Sequence, residues 1–80
     1  MPRMTPLHWK VLEKYILALG FAFRSQKGSH RIYRKIGSAR PIVIPVHGDG
    51  IVDVGIIMEI LKTAGADRNA FLLAIQNGSN

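Results

Sequence analysis

Apolar residues recur at helical spacing near the start of the chain, alternate with polar ones through its middle, and return to helical spacing in the last third. Leu7, Val11, Leu12, Tyr15, Ile16 and Leu19 form one stripe, and with Thr5 placed to cap and Pro6 suited to the first helical position they predict a helix over residues 5–19. Gly20 ends it. Phe21, Phe23 and Ser25 then alternate with Ala22, Arg24 and Gln26, a strand pattern that Lys27 and Gly28 reverse. A second strand is predicted from Ser29 or His30 to about Lys35, followed by a turn over residues 36–40. The third strand, residues 41–46, contains Pro41 and Pro45; because neither has an N–H to donate, it belongs at a sheet edge or is freely solvated on one side.

Beyond a Gly48-Asp49-Gly50 loop, Asp53 is placed to cap a helix that runs to Ala64 and is closed by Gly65. Val54, Ile57, Leu61 and Ala64 make the expected stripe. Ile56, Met58 and Ile60 widen it, and with Ile51 and Val52 they amount to more apolar surface than covering one small sheet requires, which points to a partner. A short helix is predicted over residues 68–76, capped by Asp67 with Phe71, Leu72 and Ile75 inward, and residues 77–80 are expected to fray. The order predicts an α+β fold of two layers, a three-stranded antiparallel sheet with helices on one face, and residues 1–80 forming a single domain. That α-β-β-β-α layout resembles double-stranded-RNA-binding domains.

Composition narrows the function classes. With 80 residues, 48% of them apolar and 20% charged, the chain is a folding sequence too short for a multidomain enzyme. The absence of cysteine excludes disulfide staples, zinc ribbons and thiol nucleophiles. No apolar run approaches the length that spans a bilayer, and the first residues lack the order of a signal peptide, so no membrane association and a cytoplasmic location are expected.

The net charge of +6 is unevenly spread. Residues 1–48 hold nine Lys and Arg and a single acid, Glu13, whereas residues 49–80 hold two basic and four acidic residues. Arg24, Lys27, Arg31, Arg34, Lys35 and Arg40 fall within seventeen positions that contain no acid. A polyanion-binding surface is the functional reading, with a solvated strand face as the plain alternative.

Within that stretch His30 sits at a turn-to-strand junction among cations. An imidazole exchanges a proton near neutrality, and Lys27, Arg31 and Arg34 can hold phosphate, so acid–base work on RNA is open beside a simple phosphate contact. His47 follows the third strand and is the candidate for a second proton-transfer group. Period-2 counting sets it on a different sheet face from His30. His8, beside Trp9, is expected to face solvent or pack, and no metal site is expected from the three histidines. Asp49 and Asp53 read as turn and cap residues, and Trp9 and Tyr33 as packing residues rather than base-stacking ones.

The sequence resembles the HicA toxins, small ribonucleases of type II toxin–antitoxin systems, from about residue 12 to residue 73. The likeness is carried by Leu19-Gly20-Phe21, Arg24-x-Gln26-Lys27-Gly28-Ser29-His30-x-Ile32-Tyr33-Arg34, Val43-x-Pro45-x-His47, and Gly55-x-x-x-x-Ile60-Leu61-Lys62-x-Ala64-Gly65. The resemblance implies a double-stranded-RNA-binding-like fold and an mRNA interferase that slows translation without a metal or other cofactor. Its catalytic histidine falls on His30, and a HicB-like antitoxin covers the site. Lys27 and Arg31 are then the expected charge partners. Many relatives carry a lysine after the Pro-x-His-Gly segment, where this chain has Asp49 and Asp53, so RNA gripping is left to the Arg24 to Arg40 region. Two other readings stand beside this one: a non-catalytic RNA-binding module of the same fold, and a DNA-binding or purely structural domain. A homo-oligomer and a toxin–antitoxin hetero-oligomer both remain open.

Overall fold

The computed structural model describes residues 3–76, so the expected fraying of residues 77–80 lies outside the described residues. Its elements are β1 (Leu7–His8), α1 (Trp9–Ala18), β2 (Ala22–Lys27), β3 (His30–Arg34), β4 (Ile42–Pro45), β5 (Ile51–Val52), α2 (Val54–Ala64) and α3 (Arg68–Gln76). The three central strands form an antiparallel sheet in the order β2-β3-β4, with α1 and α2 packed on β4 and α3 packed on α1. The α+β layout predicted from the sequence is the one observed, and no helix among the described residues is long and apolar enough to cross a membrane.

The first helix starts later than its stripe predicts. Residues 5–8 are not helical, because Leu7 and His8 are drawn into an antiparallel pairing with Val52 and Ile51 that the local cap signal at Thr5 and Pro6 does not outweigh. His8 becomes the N-cap instead, its Nδ1 accepting the Lys10 N–H at 3.2 Å. The helix ends as expected: the Phe21 N–H reaches the Ile16 carbonyl at 3.1 Å and the Gly20 N–H the Leu17 carbonyl at 3.0 Å, a Schellman closure. α2 closes the same way, with Ala66 N–H on Leu61 and Gly65 N–H on Lys62. Asp53 occupies the N-cap position of α2 but makes no side-chain cap bond, whereas Asp67 Oδ2 accepts the Ala70 N–H at 3.0 Å at the start of α3.

Strand β2 departs from simple alternation. Phe23 pairs with Tyr33 and Ser25 with Ile32, leaving Arg24 as the extra residue of a bulge. Phe23 therefore shares the helix-covered face with Tyr33, while Ser25 moves to the opposite face, although uniform alternation sets them together. β4 is an edge strand, as Pro41 just before it and Pro45 at its end imply. The Val46 N–H continues the ladder onto the Ser29 carbonyl, so residues 42, 44 and 46 turn their backbone toward β3 and residues 41, 43 and 45 turn theirs away. Both prolines occupy outward positions and remove no bond from the sheet.

One face of the sheet builds the core. Tyr33, Ile42 and Ile44 meet Leu12 and Ile16 of α1, Ile57, Ile60 and Leu61 of α2, Val52 and Phe71, all buried. The other face, with Ile32, Val43 and Pro45, carries no helix, and Val43 is 40% exposed. The α2 stripe is shifted from expectation: Ile60 and the preceding Val52 join the core, Val54 and Ala64 are only half-buried, and Ile51, Ile56 and Met58 stay exposed.

Gly50 joins the first and second halves of the chain. Its carbonyl accepts the Trp9 N–H at 2.9 Å, its φ is +81°, and a Cβ there would stand 2.7 Å from His8 Nε2 and 3.1 Å from Trp9 Cδ1. Gly50→Ala is therefore expected to cost about 2 kcal/mol or more through backbone strain and collision with the helix cap. Thermal unfolding checks this, with a fall in Tm of roughly 10 °C expected for a domain of this size.

Candidate functional site

β2 and β3 are joined by a two-residue loop, Gly28-Ser29, in which only Gly28 takes a positive φ, +59°, the pattern of a type II′ turn. Lys27 and His30 face each other across its base. A directly opposed pair has its side chains on one sheet face, so the imidazole and the ammonium project together from the helix-free face, both exposed. Arg34 shares that face four residues along β3, roughly 13 Å away by strand rise. Arg24 is exposed at the bulge and Arg40 in the turn before β4. Lys35 is packed at the far end of the sheet, its Nζ 5.6 Å from the centre of the Phe21 ring.

Arg31 is not with them. Strand alternation turns it to the helix-covered side, where its Nη2 donates to Glu13 Oε2 at 2.9 Å, its Nε to the Tyr33 hydroxyl at 2.9 Å and its Nη1 to Gln26 Oε1 at 3.0 Å. The Tyr33 hydroxyl donates to the same Glu13 oxygen at 2.6 Å. Aromatic rings flank the guanidinium, Phe23 at 4.2 Å and Trp9 at 4.8 Å from their centres. Arg31 and Glu13 are each only about a fifth exposed, with side-chain values of 20% and 22%, so the pair is partly buried, with both Arg31 and Tyr33 bonded to Glu13 Oε2. The sequence places Arg31 beside His30 as a charge partner; the structure separates the two by the thickness of the sheet. Tyr33 and Trp9 pack, as expected, but Tyr33 also carries this polar contact.

The remaining histidines lie outside the central strand that carries His30. His47 lies past the end of β4, and its carbonyl accepts the Gly50 N–H. The register corrects the expectation that it belongs to the opposite face: Pro45 is opposite His30 and Val43 opposite Ile32, so the Val43–Pro45 alternation shares the face of His30. The strand stops two residues before His47, which is exposed. His8 is held at the start of α1 against Trp9, and no three His, Asp or Glu side chains cluster among the described residues. Asp49 is a turn residue, its Oδ1 accepting the Ile51 N–H at 3.0 Å.

Sequence reasoning passed over Glu13, Gln26 and the Tyr33 hydroxyl. A signal existed for Glu13: it is the lone acid among the first 48 residues, on a helix facing a strand rich in arginine. Gln26 shows no pattern in the sequence, since only the hairpin register brings it beside Arg31.

A helix, a three-stranded meander and a helix, with cations on the hairpin and an uncovered sheet face, define a small basic domain with the fold layout of double-stranded-RNA-binding domains. The family model described as HicA toxin of bacterial toxin–antitoxin systems matches residues 9–66. The chain belongs to the HicA toxin family, and membership implies an antitoxin partner. A search of curated proteins found no match.

Burial, and then the hydrogen bond to Glu13, pushes the Tyr33 hydroxyl up to about 12 from its ordinary 10.0. Its bond to the Tyr33 hydroxyl, and to a lesser extent Glu13, raises the Arg31 guanidinium further against the opposing effect of burial. The folded protein thus holds the Tyr33 proton more tightly than the unfolded chain. Its contribution is complete below pH 10 and is lost as the pH rises toward 12, a change of roughly 2–3 kcal/mol. Urea unfolding between pH 9 and about 12 is expected to show this decline in the wild type and a shallower one in Tyr33→Phe. Identical slopes would remove Tyr33 as its source.

Proposed function

We propose that this toxin is a metal-independent endoribonuclease that cleaves mRNA in the cytoplasm and so halts translation, with His30 as its catalytic residue. The observation that carries the reading is the exposed Lys27–His30 pair at the base of the hairpin turn. RNA supplies its own nucleophile. The 2′-hydroxyl loses its proton, its oxygen attacks the adjacent phosphorus, and the 5′-oxygen leaves with a proton, giving a 2′,3′-cyclic phosphate and a 5′-hydroxyl. His30 carries one of these two protons and His47 is the candidate for the other. Lys27 neutralises the phosphate as charge builds on it, Arg24, Arg34 and Arg40 draw the RNA backbone in, and Lys35 adds positive charge at the far end of the sheet. Arg31, tied to Glu13, supports the fold of the hairpin.

His30→Ala is expected to lower RNA cleavage by about 10²-fold or more while leaving affinity nearly unchanged, and a chelator is expected to leave wild-type cleavage intact. In the same assay Arg34→Gln should flatten the salt dependence of binding by about one unit of log–log slope. Equal cleavage by His30→Ala ends the assignment. Binding without any cleavage by the wild type establishes the RNA-binding module instead.

The antitoxin partner is HicB-like in this reading, and it docks over the exposed apolar residues as well as the site. Val43 and Ile56 line one groove between β4 and α2, with Ile51 and Met58 exposed on the adjoining segment. Hydrogen exchange over residues 51–58 should slow when the antitoxin binds; unchanged exchange would locate the interface elsewhere.

A further inference from the structure

The turn that presents His30 has little packing of its own. A Cβ at Gly28 would meet nothing within 4 Å, and glycine at that position leaves the backbone free to explore other conformations. Besides the Lys27–His30 pairing at its base, two hydrogen bonds reach the loop. From the β4 side the Val46 N–H donates to the Ser29 carbonyl, and from the β2 side Gln26 Nε2 donates to the Gly28 carbonyl at 3.1 Å.

The second bond is the end of a longer series. Glu13 Oε2 on α1 accepts from Arg31 Nη2, Arg31 Nη1 donates to Gln26 Oε1, and the Gln26 amide then donates to Gly28. The guanidinium can only donate and the carbonyl can only accept, so the amide has one orientation that satisfies both. Glutamine is the side chain that relays such a series, because it accepts at one atom and donates at the other. Lys27 and His30 stand on the opposite face, so Gln26 is directed away from the RNA face.

We propose that Gln26 is a positioning residue, its amide pinning the Gly28-Ser29 turn to the Glu13–Arg31 pair so that His30 and Lys27 keep a fixed separation. The proposal rests on the catalytic reading of His30. A misplacement of about 1 Å can cost up to 10²-fold in rate, so a tether on the turn is felt in turnover rather than in affinity.

The test uses the full chain, a defined RNA and two variants. Gln26→Met keeps the side-chain length, adds no charge and replaces an exposed residue, so it is expected to fold. Its kcat should fall about tenfold while KM and the salt slope of RNA binding stay at wild-type values. Gln26→Glu keeps an acceptor for Arg31 but has no proton to give Gly28, and its kcat at saturating RNA should fall likewise. Amide exchange at Gly28, Ser29 and His30, measured without RNA, should quicken in both. Wild-type kcat in either variant overturns the proposal, as does unchanged exchange. A raised KM with a reduced salt slope in Gln26→Met also overturns it, by making Gln26 an RNA contact. A wild type inert on RNA refutes the catalytic reading itself, and the positioning role falls with it; loss of kcat confined to the variants separates the two outcomes.

Discussion

A single carboxylate holds the basic half of this protein together. Glu13 Oε2 receives both the Arg31 guanidinium and the Tyr33 hydroxyl, and those two residues lie on the central strand of the sheet. Helix α1 is thereby fixed to β3 at a point where apolar packing gives way to polar contact. The cost of withdrawing the charged pair from water is offset because the donors converge on the acid in close geometry and the rings of Phe23 and Trp9 flank the cation. Losing either partner leaves the other partly buried with its bonds unmade, a far greater penalty than an exposed ion pair carries.

The same contact divides the cations by task. On the helix side, Arg31 is consumed by structure. On the open side, Lys27 and Arg34 make no ion pair with a carboxylate among the described residues, and their field is directed outward. A chain of net charge +6 with its acids mostly on the later half therefore keeps one strongly positive face without repelling itself apart, since the only acid of the first half neutralises the most enclosed of its arginines.

Much of this was legible in the sequence. Periodicity located α2 and α3 and the three central strands, glycines marked both long-helix ends, and Pro41 and Pro45 marked the edge strand. What escaped were features made by pairing at a distance. The pairing of Leu7 with Val52 and His8 with Ile51 has no local signal, since two-residue strands are too short to show alternation. The bulge at Arg24 shifts the strand by one residue and reverses the faces of everything before it, which a period-2 count cannot detect. At the site, His30 and Lys27 could be singled out because turn chemistry and charge are local properties. The fate of Arg31 could not, because identical arginines at neighbouring positions differ only in which side of the sheet they face.

The two outward prolines that bracket β4, Pro41 just before it and Pro45 at its end, bear on self-recognition. An exposed strand edge is a template on which another chain can lay a strand, and each donor on it is a place for that chain to attach. Here Pro41 and Pro45 leave the Val43 N–H as the sole outward donor among positions 41, 43 and 45. A second copy aligning along this edge finds carbonyls but almost no donors, so the ladder it can build is half-empty. A protein with an open sheet face and one free edge thus carries, in its covalent backbone, a guard against having that sheet extended by its own kind.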